Sequence, residues 1–299
     1  MSLRAELVRL CLPWFMRPRF PPQVQIEDVR RRMARFAHLI RTPPRGTEVI
    51  AVDAGDVKGE RITTPCSLHI RYVLHLHGGA YLFGFLALFR DFTWRIAEAA
   101  SARVLCIDYR LAPEHPFPAA IEDATAAYRW LIAECAEPRH VAFLGDSCGG
   151  GLVLASMMRL RDEGLPLPAA AVVLSPWTDL ALTGQSLTEY GFSDPMVPVE
   201  LMPRAVEVYL AGADPRSPYA SPLYGDPAGL PPTLIHVGSD EALRDDAVRM
   251  AERLRSAGCE VKLEVWPRMF HVWHMFARIL PEARAAIAGI GAFLRARLS

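Results

Sequence analysis

From about residue 45 onward, short apolar β-branched runs alternate with stretches of helical periodicity, and this alternation restricts the chain more than any other feature. The runs are Glu48–Val52, Arg61–Thr64, Tyr72–Leu76, Arg103–Asp108, His140–Leu144, Ala171–Ser175, Thr233–Val237 and Val261–Trp266. The first two are short and half polar, as an outer hairpin requires. Most of the others are near-continuous apolar runs, the pattern of a parallel strand covered on both faces. Helices are expected near Phe89–Ala100, Pro118–Ala136, Gly150–Glu163, Asp240–Ala257 and Pro281–Leu298. Within Ala120–Ala133 the apolar residues Ile121, Ala124, Ala127, Tyr128 and Leu131 recur at spacings of three and four, one buried stripe. The pattern predicts an α/β chain with an open, mostly parallel sheet of about eight strands and helices on both faces.

Composition removes several function classes. With 299 residues, 51% of them hydrophobic and 22% charged, the chain can bury a large core without disulfides or metals. Lys plus Arg and Asp plus Glu both number 33, and this balance, with no basic stripe, speaks against nucleic acid as a partner. Six cysteines (Cys11, Cys66, Cys106, Cys135, Cys148, Cys259) show neither CxxC pairs nor zinc-like spacing and read as free thiols in a reducing compartment. The apolar stretch Leu10–Met16 is broken by Pro13 and has no small-residue cleavage site after it, so no signal peptide is expected. No uncharged run is long enough to span a bilayer, and the expected location is the cytoplasm.

Two regions depart from the alternation. The first 45 residues place Trp14, Phe15, Met16, Phe20 and Phe36 among arginines and prolines. Residues 183–230, between two strands, are far longer than an ordinary loop and hold many prolines and a predicted helix, Val199–Leu210. Residues 1–45 are expected to form the N-terminal part of a helical cap and 183–230 its second segment, on a catalytic domain spanning 46–299. The alternative is that both simply pack on a helix face.

Two glycine motifs carry the chemistry. Gly145-Asp146-Ser147-Cys148-Gly149 matches G-x-S-x-G, follows an apolar strand and opens a helical stretch. In that setting the serine sits on a sharp, strained turn at the carboxyl end of the strands, as a nucleophile. A phosphate-cradling turn is the alternative, but neither G-x-G-x-x-G nor a P-loop lysine is present. His77-Gly78-Gly79-Ala80-Tyr81 directly follows the strand Tyr72–Leu76. Acyl transfer needs hydrogen-bond donors aimed at the oxygen that becomes negative, and backbone amides of a glycine turn can supply them. The amide of Cys148, the residue after the nucleophile, is a further donor. His75 and His77 share a strand face and make a metal thinkable, but no third ligand with suitable spacing accompanies them.

Together with Asp108-Tyr109-Arg110-Leu111-Ala112-Pro113-Glu114, Ser175-Pro176-Trp177-Thr178-Asp179-Leu180 and Gly238-Ser239-Asp240-Glu241-Ala242-Leu243-Arg244-Asp245, these motifs make the chain resemble the hormone-sensitive-lipase-like (family IV) α/β-hydrolase esterases over residues 45–298. Two departures stand out. The family's usual HGGG is HGGA here, and its usual GDSAG is GDSCG. The resemblance implies the α/β-hydrolase fold and maps the two upstream oxyanion donors to Gly79 and Ala80, with Gly78 allowing the turn.

A hydroxyl needs a base, and in this fold the order is Ser, then Asp or Glu, then His. After Ser147 only His236, His271 and His274 remain. His236 lies within a strand; His271 and His274 fall in the loop after the last strand, and His271 matches the family's base position. The orienting acid should follow the strand Thr233–Val237, where Asp240 stands and matches the motif. Asp245 and Asp246 read as solvated or helix-N-terminal charge. Tyr109 and Glu114 are expected to stabilise their loop, and Asp146 to hydrogen-bond nearby loops.

The expected activity is that of a serine carboxylesterase acting on small-molecule esters through Ser147, His271 and Asp240, with no cofactor or metal. Tyr81, Phe83, Phe192, Met202, Tyr209 and Trp14 are the candidate substrate-binding side chains, an aromatic and methionine lining suited to an apolar acyl chain. By resemblance the acyl chains are short to medium. A specialised lactonase or deacetylase would use the same machinery, and the fold also serves as a ligand-binding receptor when the base is lost. Family members often dimerise along the last strand, so a homodimer across Val261–Trp266 is possible by analogy.

Overall fold

The computed structural model describes residues 2–16, 26–37, 43–134, 136–191 and 193–298. Two helices, α1 (Leu3–Met16) and α2 (Ile26–Ala37), precede the sheet. The sheet opens with the expected hairpin, β1 (Glu48–Ala54) and β2 (Val57–Thr63), in which Ala54 lies opposite Val57. Gly55 and Asp56 both take positive φ there, the two-residue turn whose twist matches that of the strands. Then follow β3 (Leu68–Leu76), α3 (Leu86–Ala100), β4 (Ala102–Ile107), α4 (Ala119–Glu134), β5 (Val141–Asp146), α5 (Cys148–Asp162) and β6 (Ala170–Leu174). After the short α6 (Ser186–Glu189) and α7 (Met202–Leu210) come β7 (Thr233–Gly238), α8 (Arg244–Ser256), β8 (Val261–Trp266) and α9 (Pro281–Arg297).

The strands form one eight-stranded sheet in the order β1-β2-β4-β3-β5-β6-β7-β8. Only β1–β2 and β2–β4 pair antiparallel; every other pairing is parallel. Alternation along each strand divides the core into two layers. Leu74, Leu76, Leu105, Ile107, Phe143, Val173, Ile235 and Val237 face α4, α5 and α8. Val73, Val104, Cys106, Ala142, Leu144, Val172 and Leu234 face α3 and α9. The α4 stripe of Ile121, Ala124, Ala127, Tyr128 and Leu131 is fully buried, as the periodicity predicts.

The chain is therefore an α/β-hydrolase-type fold with helices on both faces, as expected. One helix boundary differs in a way that matters for the site. The helix expected from Asp240 begins only at Arg244. Residues 239–243 instead make a turn closed by the amides of Ser239 and Asp240, which donate to the carbonyls of Trp266 and Met269. The region 183–230 holds α6, α7 and two short 3₁₀ turns, so the predicted helix Val199–Leu210 is a 3₁₀ turn leading into α7. Among the described residues no helix is long and apolar enough to cross a membrane.

Candidate active site

Ser147 stands between β5 and α5 with φ 54° and ψ −126°, a conformation L-residues avoid. Backbone hydrogen bonds hold it there. Its amide donates to Leu174 O at 2.9 Å, and its carbonyl accepts from Gly150 N at 3.0 Å and Trp177 N at 2.9 Å. The turn needs glycine beside it, because a Cβ on Gly149 would collide with the carbonyl oxygen of Leu76 on the neighbouring strand. The serine side chain is thereby lifted to the carboxyl end of the parallel strands, partly open to solvent.

The oxyanion candidates lie in the turn after β3. Gly79, Ala80 and Tyr81 take φ values of 127°, 53° and 62° in succession. A Cβ on Gly79 would strike the carbonyl oxygen of Phe83, while that of Gly79 accepts from the amides of Leu82 and Phe83. Ala80 holds a left-handed φ that glycine would adopt freely, at a cost of about 1–2 kcal/mol. The outer amides of the turn are engaged: Gly78 N donates to Asp146 Oδ2 (3.1 Å) and Tyr81 N to Cys148 Sγ (3.3 Å). Gly79 and Ala80 lie between these two anchors.

His271 is buried in the loop after β8, and its Nδ1 lies 3.3 Å from Glu241 Oε1. The acid on the imidazole is therefore Glu241, not the expected Asp240. In the turn after β7 the two adjacent carboxylates point opposite ways. Glu241, fully buried, accepts from Gly238 N and Ser175 Oγ, both at 2.8 Å, through Oε2. Asp240, with 23% of its side chain exposed, pairs with Arg9 of α1 at 2.8 Å and accepts from Ser239 Oγ at 2.6 Å. Sequence order alone does not separate two neighbouring acids, and the turn's register does. Burial pulls the His271 pKa down, but the hydrogen bond and charge of Glu241, helped by Asp194 and Asp146, outweigh it and leave the imidazole more basic than usual.

Ser175 was not foreseen as a functional residue. Just past β6 and at positive φ, it donates to Glu241 Oε2 and accepts from Val272 N at 3.1 Å. It thus fastens the acid and the histidine loop to the strand end whose Leu174 also holds the Ser147 amide. Its only trace in the sequence is the Ser175–Leu180 motif.

His75, His77, His236 and His274 are packed. His236 Nδ1 and His274 Nε2 lie 3.2 Å apart in the core, and His236 Nε2 lies 3.2 Å from Glu264. His77 stacks between Tyr109 and Phe89, and burial lowers its pKa to about 4. His75 joins Cys106 Sγ to Asp146 Oδ1, each at 3.1 Å. Among the described residues no group of three or more His, Cys, Asp or Glu side chains is arranged to hold a metal ion.

Asp246 stands in the first turn of α8, as one of the two readings of it has it, but the solvated alternative fails. It is buried, accepting through one oxygen from Thr178 N (2.8 Å) and Asp179 N (2.9 Å). Tyr109 and Glu114 do brace their loop. Tyr109 donates to His77 O at 2.6 Å, and Glu114 takes a two-pronged contact from Arg30 of α2.

Of the proposed substrate side chains, Tyr81 and Tyr209 are buried and stack face to face, ring centres 3.8 Å apart and planes within 6°. Met202 is buried in the same cluster and Phe83 packs at its margin. Phe192 and the side chain of Trp14 lie outside the described residues.

Comparison with known proteins finds relatives that share this fold. Residues 73–275 match a family model described as the alpha/beta hydrolase fold. An acetyl-hydrolase of Streptomyces hygroscopicus is 50% identical over 225 residues, covering 75% of each chain. An esterase of Acinetobacter venetianus is 36% identical, covering 79% of this chain and 78% of its own. The crystal structure of an esterase from the bacterial hormone-sensitive lipase family superposes with a TM-score of 0.95 at 42% identity, over 100% of this chain and 99% of the other.

Proposed function

Since the chain belongs to the α/β-hydrolase family, in its hormone-sensitive-lipase-like branch, we propose that it is a carboxylic ester hydrolase working through Ser147, His271 and Glu241 by way of an acyl-enzyme. The observation that carries this reading is the buried His271–Glu241 pair, tied through Ser175 to the strand end that holds the strained Ser147. Ser147 Oγ attacks the ester carbonyl carbon as His271 takes its proton at Nε2. Glu241 keeps the Nδ1 proton in place and stabilises the imidazolium. The carbonyl oxygen, now negative, receives hydrogen bonds from the amides of Gly79, Ala80 and Cys148. The tetrahedral intermediate collapses, the alkoxide leaves with the proton from His271, and the acyl group remains on Ser147. A water, deprotonated by His271, then attacks the acyl carbonyl, and the second tetrahedral intermediate breaks its bond to Ser147 Oγ, which takes the proton back from His271 as the acid is released.

The substrates in this reading are short- to medium-chain esters. Tyr81, which ends the oxyanion turn, stacks on Tyr209, and we read this buried apolar pair as backing the acyl site. The half-identical relative described as an acetyl-hydrolase supports the short end of that range and also favours a second reading, a deacetylase with one preferred acetylated metabolite. We read α1, α2 and residues 183–230 as a cap. Arg9 ties α1 to the acid turn, Arg30 ties α2 to Leu82 O and Ala112 O, and Tyr209 O of α7 accepts from Phe117 N. The unpaired thiols Cys11, Cys66, Cys106, Cys148 and Cys259 suit a reducing cytoplasm. The open edge at β8 is where a second copy would pair.

The test is hydrolysis of p-nitrophenyl esters from acetate to palmitate by wild type and Ser147→Ala. Activity concentrated at short and medium chains and abolished by the substitution is the expected result. Activity that survives in Ser147→Ala would remove this serine from its role. Inactivity toward the whole panel, with rapid labelling of Ser147 by a fluorophosphonate, would instead favour the narrow deacetylase.

A further inference from the structure

The two departures from the family pattern, Ala80 in the oxyanion turn and Cys148 after the nucleophile, meet in space. The amide of Tyr81, next to Ala80, donates to Cys148 Sγ at 3.3 Å, and the Tyr81 hydroxyl donates to Cys148 O at 3.0 Å. Tyr109 Oη lies 3.8 Å from the same sulfur and donates its own proton to His77 O at 2.6 Å. The thiol hydrogen is then free to point at Tyr109, which closes a path from Cys148 to the start of the turn. On the other side of Ser147, Asp146 Oδ2 accepts from Gly78 N at 3.1 Å. Its Oδ1 is held by His75, which is backed in turn by Cys106.

From this we infer that the side chains flanking Ser147 clamp the oxyanion turn at both ends, Asp146 at Gly78 and the Cys148 thiol at Tyr81, and that both are positioning residues for the Gly79 and Ala80 amides. The inference rests on the esterase reading above. The nucleophile and the two upstream oxyanion donors, Gly79 and Ala80, follow different strands, β5 and β3, and hydrolysis requires them in fixed register. Anchoring the turn to residues 146 and 148 ties that register to Ser147 itself. The left-handed Ala80 makes an anchor more necessary, because an unfastened turn would relax toward ordinary backbone angles. The sulfur serves as acceptor and not as nucleophile. Burial pushes the thiol up to about 12, so it stays protonated, and the residue has no exposed surface. Without it the Tyr81 N–H would be a buried donor with its acceptor removed.

The experiment compares kcat and KM for p-nitrophenyl acetate in wild type, Cys148→Ala, Cys148→Ser, Asp146→Ala, Asp146→Asn and the double alanine variant. Removing one oxyanion donor outright costs about 10²–10³-fold in kcat, so a loosened turn is expected to cost about 10- to 100-fold. That loss should fall on kcat, with KM within about twofold, because the clamp acts on donors used in the transition state. Cys148→Ser, whose hydroxyl oxygen can accept the same N–H, should recover most of the rate. Asp146→Asn, whose amide oxygen can accept from Gly78, should exceed Asp146→Ala at its plateau. In the double variant the second substitution should cost less than it does alone, since one released end already frees the turn. Wild-type rates in Cys148→Ala, a serine variant no better than alanine, or a loss confined to KM would overturn the inference. Should Cys148→Ala fail to fold, the two Asp146 variants decide by the same kcat criterion. Failure of the esterase reading looks different, because Ser147→Ala would then hydrolyse the ester as fast as wild type.

Discussion

Asp240 and Glu241 are neighbours in the chain with opposite environments, and this separates their expected effects. Glu241 is buried and shared among His271, Gly238 N and Ser175, so Glu241→Gln removes the charge behind the imidazole and disturbs its tautomer. By analogy with the loss of a triad carboxylate, kcat should fall about 10³- to 10⁴-fold. Asp240→Asn, which weakens the Arg9 contact and leaves an amide oxygen to accept from Ser239 Oγ, should leave kcat within about threefold, the range of a surface ion pair. Steady-state kinetics of the two variants checks both. The pH profile offers a second test. A base acts when deprotonated, so the acid limb of kcat/KM should follow His271, whose pKa lies above its ordinary value. Asp146 is one of the charges that raise it. Asp146→Asn should therefore move the acid limb to lower pH, and a limb that stays fixed or moves up would contradict this assignment.

At the scale of elements, α8 and the loop after β6 are joined by a first-turn carboxylate whose burial the sequence did not reveal. Asp246 falls in the first turn of α8, where acids ordinarily complement the helix dipole in solvent. Here it faces inward and caps the amides of Thr178 and Asp179. Burial pushes its pKa up to about 7 from an unfolded value near 3.8, so the folded state holds a proton that the unfolded state has released between those values. Its contribution to stability is then complete below about pH 4 and is lost as pH rises through 7. Asp246→Asn cannot ionise, so its unfolding free energy relative to wild type should rise across that interval. Urea denaturation at pH 4.5, 6 and 7.5 measures it, and a pH-independent difference would refute it. The other elements were legible because hydrophobic period and glycine turns are local. The turn 239–243 was not, because the helical pattern of α8 extends into it while the amides of Ser239, Asp240 and Ala242 donate to Trp266 O, Met269 O and Asp194 Oδ2, all distant in the chain.

Across the whole molecule the N-terminal helices are fastened at two places beside the site. Arg30 gives its guanidinium to Leu82 O, Ala112 O and Glu114, bridging α2 to the oxyanion side. Arg9 joins α1 to the acid side, and Arg268 of the histidine loop pairs with Glu6. Arg30→Ala should release α2 and make trypsin cleave within it at least several-fold faster than in wild type, with residues 46–299 persisting as the resistant product. Equal cleavage rates would argue against that attachment. Strand and helix order, the strained serine turn and the glycine turn after β3 could be read from sequence, because each depends on backbone geometry within a few residues, whereas His271 was singled out by the family resemblance. Which of two adjacent acids meets His271, the part taken by Ser175, the clamp by residues 146 and 148 and the burial of Asp246 could not. Those depend on how elements far apart in the chain dock, where a turn shifted by one residue exchanges an inward carboxylate for an outward one.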